Sequence, residues 1–291
     1  MPENDQTSPV RGARADAARN ADAVISVDDV AREAERIVRE GPSRERIAEL
    51  AGHDPYLVID GLRAGYGQME ILHNLDLQVA RRQSLCLIGP NGAGKSTVLH
   101  SIFGFTNIYA GAIRIDGTDT TRLSPKDKLK QAGIAYVLQD NSVFPDMTVE
   151  ENLWMGGYLK ARPAEAREMA ERVFDKYPRL GERRNKPARV LSGGERRLLE
   201  ISRALVMEPE VLLVDEPSIG LEPRFIDMVF EILDDLRKAE GKTIIMVEQN
   251  AKKGLEFADV GYVLVSGQVA MAGPGQELLE DPRVGRLFLG G

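Results

Sequence analysis

After Pro55 the chain is built from short apolar runs set between polar stretches of helical texture. Residues 56–60, 75–79, 84–88 and 113–116 are rich in β-branched and aliphatic side chains and only strand-long, the last followed by Gly117 as a turn residue. A second group, 211–214, 243–247 and 262–265, is interleaved with helical segments. Thr148 and Glu151 have the spacing of a capping box, and Pro163 suits the first turn of a further helix, so 148–177 is predicted helical. Ser192 and Glu195 repeat that spacing for a helix reaching Met207 and stopped by Glu208-Pro209; 223–240, closed by Gly241, is another. Strands alternating with helices imply an α/β fold with a mostly parallel sheet whose ligands lie at its carboxyl edge.

Residues 1–54 have a different texture. They contain no Phe, Tyr, Trp or Lys, and hold twelve Asp and Glu against eight Arg. With little to bury, such a stretch is expected to be partly disordered or to form short helices. Ser26 and Asp29 resemble a capping box, with Val27, Val30, Ala34, Ile37 and Val38 on one face and Gly41 as a stop. A second short helix is expected over 43–50, with Gly52 after it. The expected division is an extension, 1–54, followed by one domain, 55–291. The extension reads either as a docking arm for a partner or as a solvated tail.

Composition removes several classes of protein. The 291 residues are 43% hydrophobic, enough for a packed core. The single cysteine, Cys86, cannot make an internal disulfide or a cysteine zinc site, so a reducing compartment is expected. No apolar run approaches the roughly 18–20 residues of a membrane helix, and the N-terminus lacks the apolar region of a secretory signal. The net charge of −7 argues against a nucleic-acid partner, which usually leaves a basic footprint. Four of those seven negative charges belong to the extension.

The chemistry begins where the run 84–88 enters Gly89-Pro90-Asn91-Gly92-Ala93-Gly94-Lys95-Ser96-Thr97, a G-x-x-x-x-G-K-S phosphate loop followed by a helix over 98–103. Glycines let backbone N–H groups curl around a phosphate, and the helix N-terminus adds partial positive charge. Lys95 can reach the β- and γ-phosphates, and the Ser96 hydroxyl can hold Mg²⁺. Gly-rich turns join strands to helices in many folds, but the Lys-Ser pair in this register marks a nucleoside triphosphate site. Further on, 211–214 delivers Asp215 and Glu216 to a strand end, one acid suited to Mg²⁺ and the other to the attacking water. Leu191-Ser192-Gly193-Gly194-Glu195 places two glycines in a first helical turn, where each is a poorer helix former than Ala by about 0.8–1.0 kcal/mol in a helix interior. A cap alone does not need them; beside Ser192 they make a second surface open to phosphate oxygens.

Taken in order, GPNGAGKST, LSGGE and VLLVDEP resemble the Walker A, signature and Walker B segments of an ABC transporter ATP-binding subunit, with the likeness extending over residues 55–291. The resemblance implies a P-loop NTPase (RecA-like) core with an antiparallel β subdomain and an inserted α-helical subdomain at about 140–208. It implies ATP and Mg²⁺ as ligands, with Ser96, Gln139 and Asp215 at the metal. Tyr66 matches the aromatic that stacks on adenine, and Gln139 the glutamine that touches Mg²⁺ and water. Glu216, Lys95 and Gln249 take the catalytic positions; Gln249 stands where the family usually has a histidine, so no protonatable switch is available there. In this family the signature of one subunit closes on nucleotide held by another. Ser192, Gly193 and Gly194 are therefore expected at the γ-phosphate of a homologous partner, identical or not, and 218–222 at the interface.

The VEQN run at 247–250, TVEENL at 148–153 with Met155-Gly156-Gly157, and 220–223 resemble one branch: the second ATP-binding subunit of branched-chain (hydrophobic) amino-acid importers and their urea and amide relatives. Leu138-Gln139-Asp140-Asn141 and the N-terminal extension depart from that branch. The expected function is ATP hydrolysis that energises uptake through separate membrane permeases, served indirectly by a solute-binding protein. The expected location is peripheral, at the cytoplasmic face of the membrane. A soluble ABC-type switch in regulation, translation or repair is the alternative, and a small-molecule kinase a third reading that leaves LSGGE unexplained.

Overall fold

The computed structural model describes residue 36 and residues 40–52, 54–139 and 142–288. The helix expected between Ser26 and Gly41 lies almost wholly outside them, as do Asp140 and Asn141.

The short apolar runs build two sheets. One is antiparallel, ordered β2-β1-β4-β5, from β1 (Pro55–Tyr66), β2 (Met69–Ala80), β4 (Asn107–Ile115) and β5 (Thr118–Asp119). The other has six strands: β3 (Ser84–Ile88), β6 (Ile134–Val137), β7 (Val211–Asp215), β8 (Thr243–Val247), β9 (Val260–Val265) and β10 (Gln268–Pro274). Its order is β10-β9-β3-β8-β7-β6, parallel except for β10. β3, β7 and β8 are buried throughout, and their period of two divides them between two cores. Cys86, Ile88, Leu212, Val214, Ile244 and Met246 join a core with the helices of one face. Leu85, Leu87, Leu213, Ile245 and Val247 join the other core, which includes Val98, Leu99 and Ile102 together with Leu57, Leu75 and Leu77 of the antiparallel sheet.

Helices fill the connections: α2 (Lys95–Phe103) follows β3, and α3 (Pro125–Gln131) precedes β6. Between β6 and β7 the chain leaves the sheet for α4 (Val149–Gly156), α5 (Pro163–Lys176), the short α6 (Pro178–Gly181) and α7 (Gly193–Leu205). The capping boxes of Thr148–Glu151 and Ser192–Glu195 are both formed, starting α4 and α7 where the spacing predicts. After β7 come α8 (Pro223–Lys238), α9 (Ala251–Phe257), α10 (Gly275–Glu280) and α11 (Pro282–Phe288). This is the architecture expected: a P-loop core, an antiparallel β subdomain and an inserted helical subdomain.

The helix expected over 43–50 is α1 (Arg44–Leu50), capped by Ser43, whose hydroxyl accepts from the Arg46 N–H. It is not a free arm. Ile47 is buried in the core shared by the antiparallel sheet, Arg44 pairs with Asp76 and Asp60, each at 3.1 Å, and Gln83 Nε2 donates to Leu50 O.

Candidate active site

Parallel pairing brings several strand ends to one edge: Leu87 lies opposite Val247, Val137 opposite Val214, and Asp215 opposite Val247. The phosphate loop leaves β3 at this edge. Gly89 has φ +149°, and a Cβ there would stand 2.2 Å from the Leu264 carbonyl oxygen of the neighbouring strand, so the loop can turn against β9 only without a side chain. Pro90, Asn91 and Gly92 face solvent, whereas Ala93, Gly94, Lys95 and Thr97 are buried. The Ala93 carbonyl is fixed by the Gly267 N–H. Lys95 Nζ donates to the carbonyls of Gly89 (2.9 Å) and Pro90 (3.0 Å), across its own loop. Burial lowers its pKa, while the Glu216 and Asp215 carboxylates oppose that shift.

Ser96 Oγ donates to Asp215 Oδ1 at 3.1 Å, and the other Asp215 oxygen accepts from the Tyr136 hydroxyl at 2.8 Å. Burial, followed by the adjacent Asp215 charge, pushes the Tyr136 phenol far above its usual range, so it remains a donor. Tyr66 ends β1 half exposed; its hydroxyl is hydrogen-bonded to His100 Nδ1, and the two rings meet edge-on. His100 meets Tyr136 the same way at 5.8 Å, so an aromatic wall runs from Tyr66 to the Asp215 carboxylate. Burial holds His100 below the usual histidine range.

Glu216 stands just beyond β7 at φ +45°, an uncommon conformation for a residue with a Cβ, and its N–H still donates to Val247 O. Gln139 Nε2 donates to Glu216 Oε2 at 3.0 Å. Gln249 is exposed just beyond β8. Glu248, before it, is buried: Oε1 accepts from Ser218 Oγ (2.7 Å) and the Asn250 N–H (2.9 Å), tying the loop after β7 to the loop after β8. Burial raises its pKa against those hydrogen bonds.

At the start of α7, Ser192 and Gly193 are exposed. Gly194 is buried; a Cβ there would fall 2.2 Å from Phe225 Cδ1, so its missing side chain has a packing reason besides the close approach expected from sequence. Among the described residues, no hydrogen bond or ion pair joins Ser192, Gly193 or Gly194 to the loop 89–97. The chain thus gathers Lys95, Ser96, Gln139, Asp215 and Glu216 in one cluster, while the signature makes no hydrogen bond to the phosphate loop among the described residues.

Sequence reasoning missed Tyr136, Glu248 and Arg197. Glu248 repeats the signal that picked out Asp215 and Glu216, an acid directly after an apolar strand. Arg197, in a charged helical run, reads as solvated surface, yet only 4% of it is exposed.

The donor set fits a nucleotide-bound Mg²⁺ rather than a protein cage. No cluster of three or more His, Cys, Asp or Glu that could hold a metal occurs among the described residues, whereas one hydroxyl and one carboxylate converge beside the phosphate loop. Nor is any helix of the described residues long and apolar enough to cross a membrane.

A loop of this shape beside paired acids at a parallel strand edge defines a P-loop ATPase cassette. The ABC transporter family model matches residues 72–219. The high-affinity branched-chain amino acid transport ATP-binding protein BraG of Pseudomonas aeruginosa is 41% identical over 235 residues, 81% of this chain and 100% of that protein. The probable branched-chain amino acid transport ATP-binding protein LivF of Archaeoglobus fulgidus is 39% identical over 229 residues, 79% and 96% of the two chains. A nucleotide-free ATP-binding cassette from an ABC transporter superposes with a TM-score of 0.71 at 28% identity, covering 81% of this chain and 100% of that one. The chain belongs to the ABC transporter family and is one of its ATP-binding subunits, a transport ATPase.

Proposed function

We propose that this subunit powers an importer of branched-chain amino acids or related small polar solutes. The proposal is supported by the two relatives above, which serve branched-chain amino-acid transport. For hydrolysis, the carrying observation is the Gln139–Glu216 hydrogen bond beside Lys95 and the Ser96–Asp215 pair.

Tyr66 stacks on adenine, and residues 89–97 receive the phosphates, for which Lys95 exchanges its loop carbonyls. Ser96, Asp215 and Gln139 would hold Mg²⁺, which would supply positive charge to offset that of the phosphates. Glu216 takes a hydrogen bond from the attacking water and directs it in line, and Gln249 donates to the γ-phosphate. That Ser192, Gly193 and Gly194 make no hydrogen bond to the loop of their own chain among the described residues agrees with a role at nucleotide held by a homologous second subunit, identical or different. Permease subunits dock at a groove of about 390 Å³ lined by residues that include Phe144, Met155 and Tyr158. These three are exposed apolar side chains beside the Gln139 loop, and docking there places the subunit at the cytoplasmic membrane face. A solute-binding protein then acts only through the permease.

Glu216→Gln tests the reading. The amide still accepts from Gln139, so ATP affinity stays within about threefold while turnover falls about 10²–10⁴-fold, the range for a lost general base. ATP-dependent dimer is then trapped in sizing experiments, and cells carrying the variant in place of the wild type lose leucine uptake. Wild-type turnover removes Glu216 from the mechanism; unchanged uptake of leucine and its relatives removes the substrate class.

A further inference from the structure

Arg197 lies on α7, one turn after the signature glycines, with its guanidinium turned into the protein. All five of its N–H donors are used. Nε donates to Pro217 O (3.1 Å) and Nη2 to Glu216 O (3.0 Å). Nη1 donates to Leu138 O (2.9 Å) and Nη2 to Gln139 O (3.2 Å). The fifth bond, Nη1 to Glu200 Oε2 at 2.9 Å, closes a buried ion pair one turn along the same helix. One planar fork therefore bolts the signature helix to the backbones of both loops that carry the water-directing side chains.

We propose that Arg197 is a positioning residue for hydrolysis. It makes α7, the Gln139 loop and the Glu216 turn one mechanical unit, so that the orientation of the signature helix sets where Gln139 and Glu216 stand. The inference rests on Glu216 as the hydrolytic carboxylate. The guanidinium geometry is essential: a lysine ammonium keeps the charge but, as a compact group with three donors, cannot span four carbonyls and a carboxylate. Glu200 lines both the apolar groove and the pocket beside Gly193. The counter-ion of the clamp thus forms part of the wall of the groove.

The test compares the full-length wild type with Arg197→Lys and with Arg197→Gln/Glu200→Gln, the second leaving no unpaired buried carboxylate. Turnover, fluorescent-ATP affinity, melting temperature and amide hydrogen exchange are measured, with Glu216→Gln as control. The expected result in both variants is at least tenfold lower kcat, ATP affinity within threefold, and at least tenfold faster exchange at 136–139 and 216–219. Unchanged exchange in those segments overturns the clamp, as does kcat within twofold of wild type. A matching loss of kcat, ATP affinity and melting temperature also overturns it, by showing a merely structural role. If Glu216→Gln itself keeps wild-type turnover, the hydrolytic reading falls, and the exchange data alone decide the clamp.

Discussion

Lys128 on α3 is fully buried, with its Nζ donating to the carbonyls of Ser101 (3.1 Å) and Ile102 (2.5 Å) near the end of the phosphate-loop helix. Burial pushes its pKa from 10.5 down to about 8, with the Asp119 carboxylate opposing the shift. Below the folded value the ammonium is charged in both states, so the cost of burying it is present in full. As pH rises through about 8 the folded chain releases a proton that the unfolded chain keeps to about 10.5, and stability increases. The neutral amine still has two N–H groups for the two carbonyls, so deprotonation breaks neither bond. From these two values, stability contributed by Lys128 grows by about 2 kcal/mol between pH 7.0 and 9.5. Urea unfolding of the wild type and Lys128→Met at both pH values isolates this term, because other titrating groups cancel in the difference. The wild type should gain about 2 kcal/mol relative to the variant on going to pH 9.5. A difference that stays constant within about 0.5 kcal/mol refutes the depressed pKa.

Gly89→Ala brings a Cβ against a strand carbonyl at 2.2 Å in a left-handed conformation, so β3 and β9 must part. A loss above about 2 kcal/mol in urea unfolding is expected, together with weakened ATP binding by fluorescence titration. Ile47→Ala empties a buried position under α1 and should cost about 2–4 kcal/mol; a change below 0.5 kcal/mol would mean that α1 contributes nothing to the cassette.

The elements that sequence reveals are those with strong local rules. Apolar strands 84–88, 211–215 and 243–247 end at residues whose chemistry makes sense only at a sheet edge, and both capping boxes start helices where expected. β1 and β2 run well beyond the expected 56–60 and 75–79 because register shifts near Gly61 and Leu62 absorb residues that break the alternation. Ile134–Val137 is only four residues long, and Gln268–Pro274 ends in glycine and proline, so neither stands out as a strand until partners are placed beside it. For the site, local motifs supply Lys95, Ser96, Asp215 and Glu216. Tyr136 and Arg197 gain meaning only from tertiary neighbours 79 and 19 or more positions away, Asp215 and the carbonyls of Glu216 and Pro217.

The order of strands in the parallel sheet also has a kinetic side. β3, which carries the phosphate loop, is flanked by β8 and β9, made from residues 243–247 and 260–265. Its sheet neighbours are therefore synthesised only after Ile88 has been followed by the chain up to Thr243 and beyond, and pairing across such separations is slow. A nascent chain that has displayed the whole Walker A segment still lacks both walls that hold it, including the Leu264 carbonyl against which Gly89 turns. The nucleotide pocket closes only after Val265 has been made, so a chain stalled before that point carries the motif without the site.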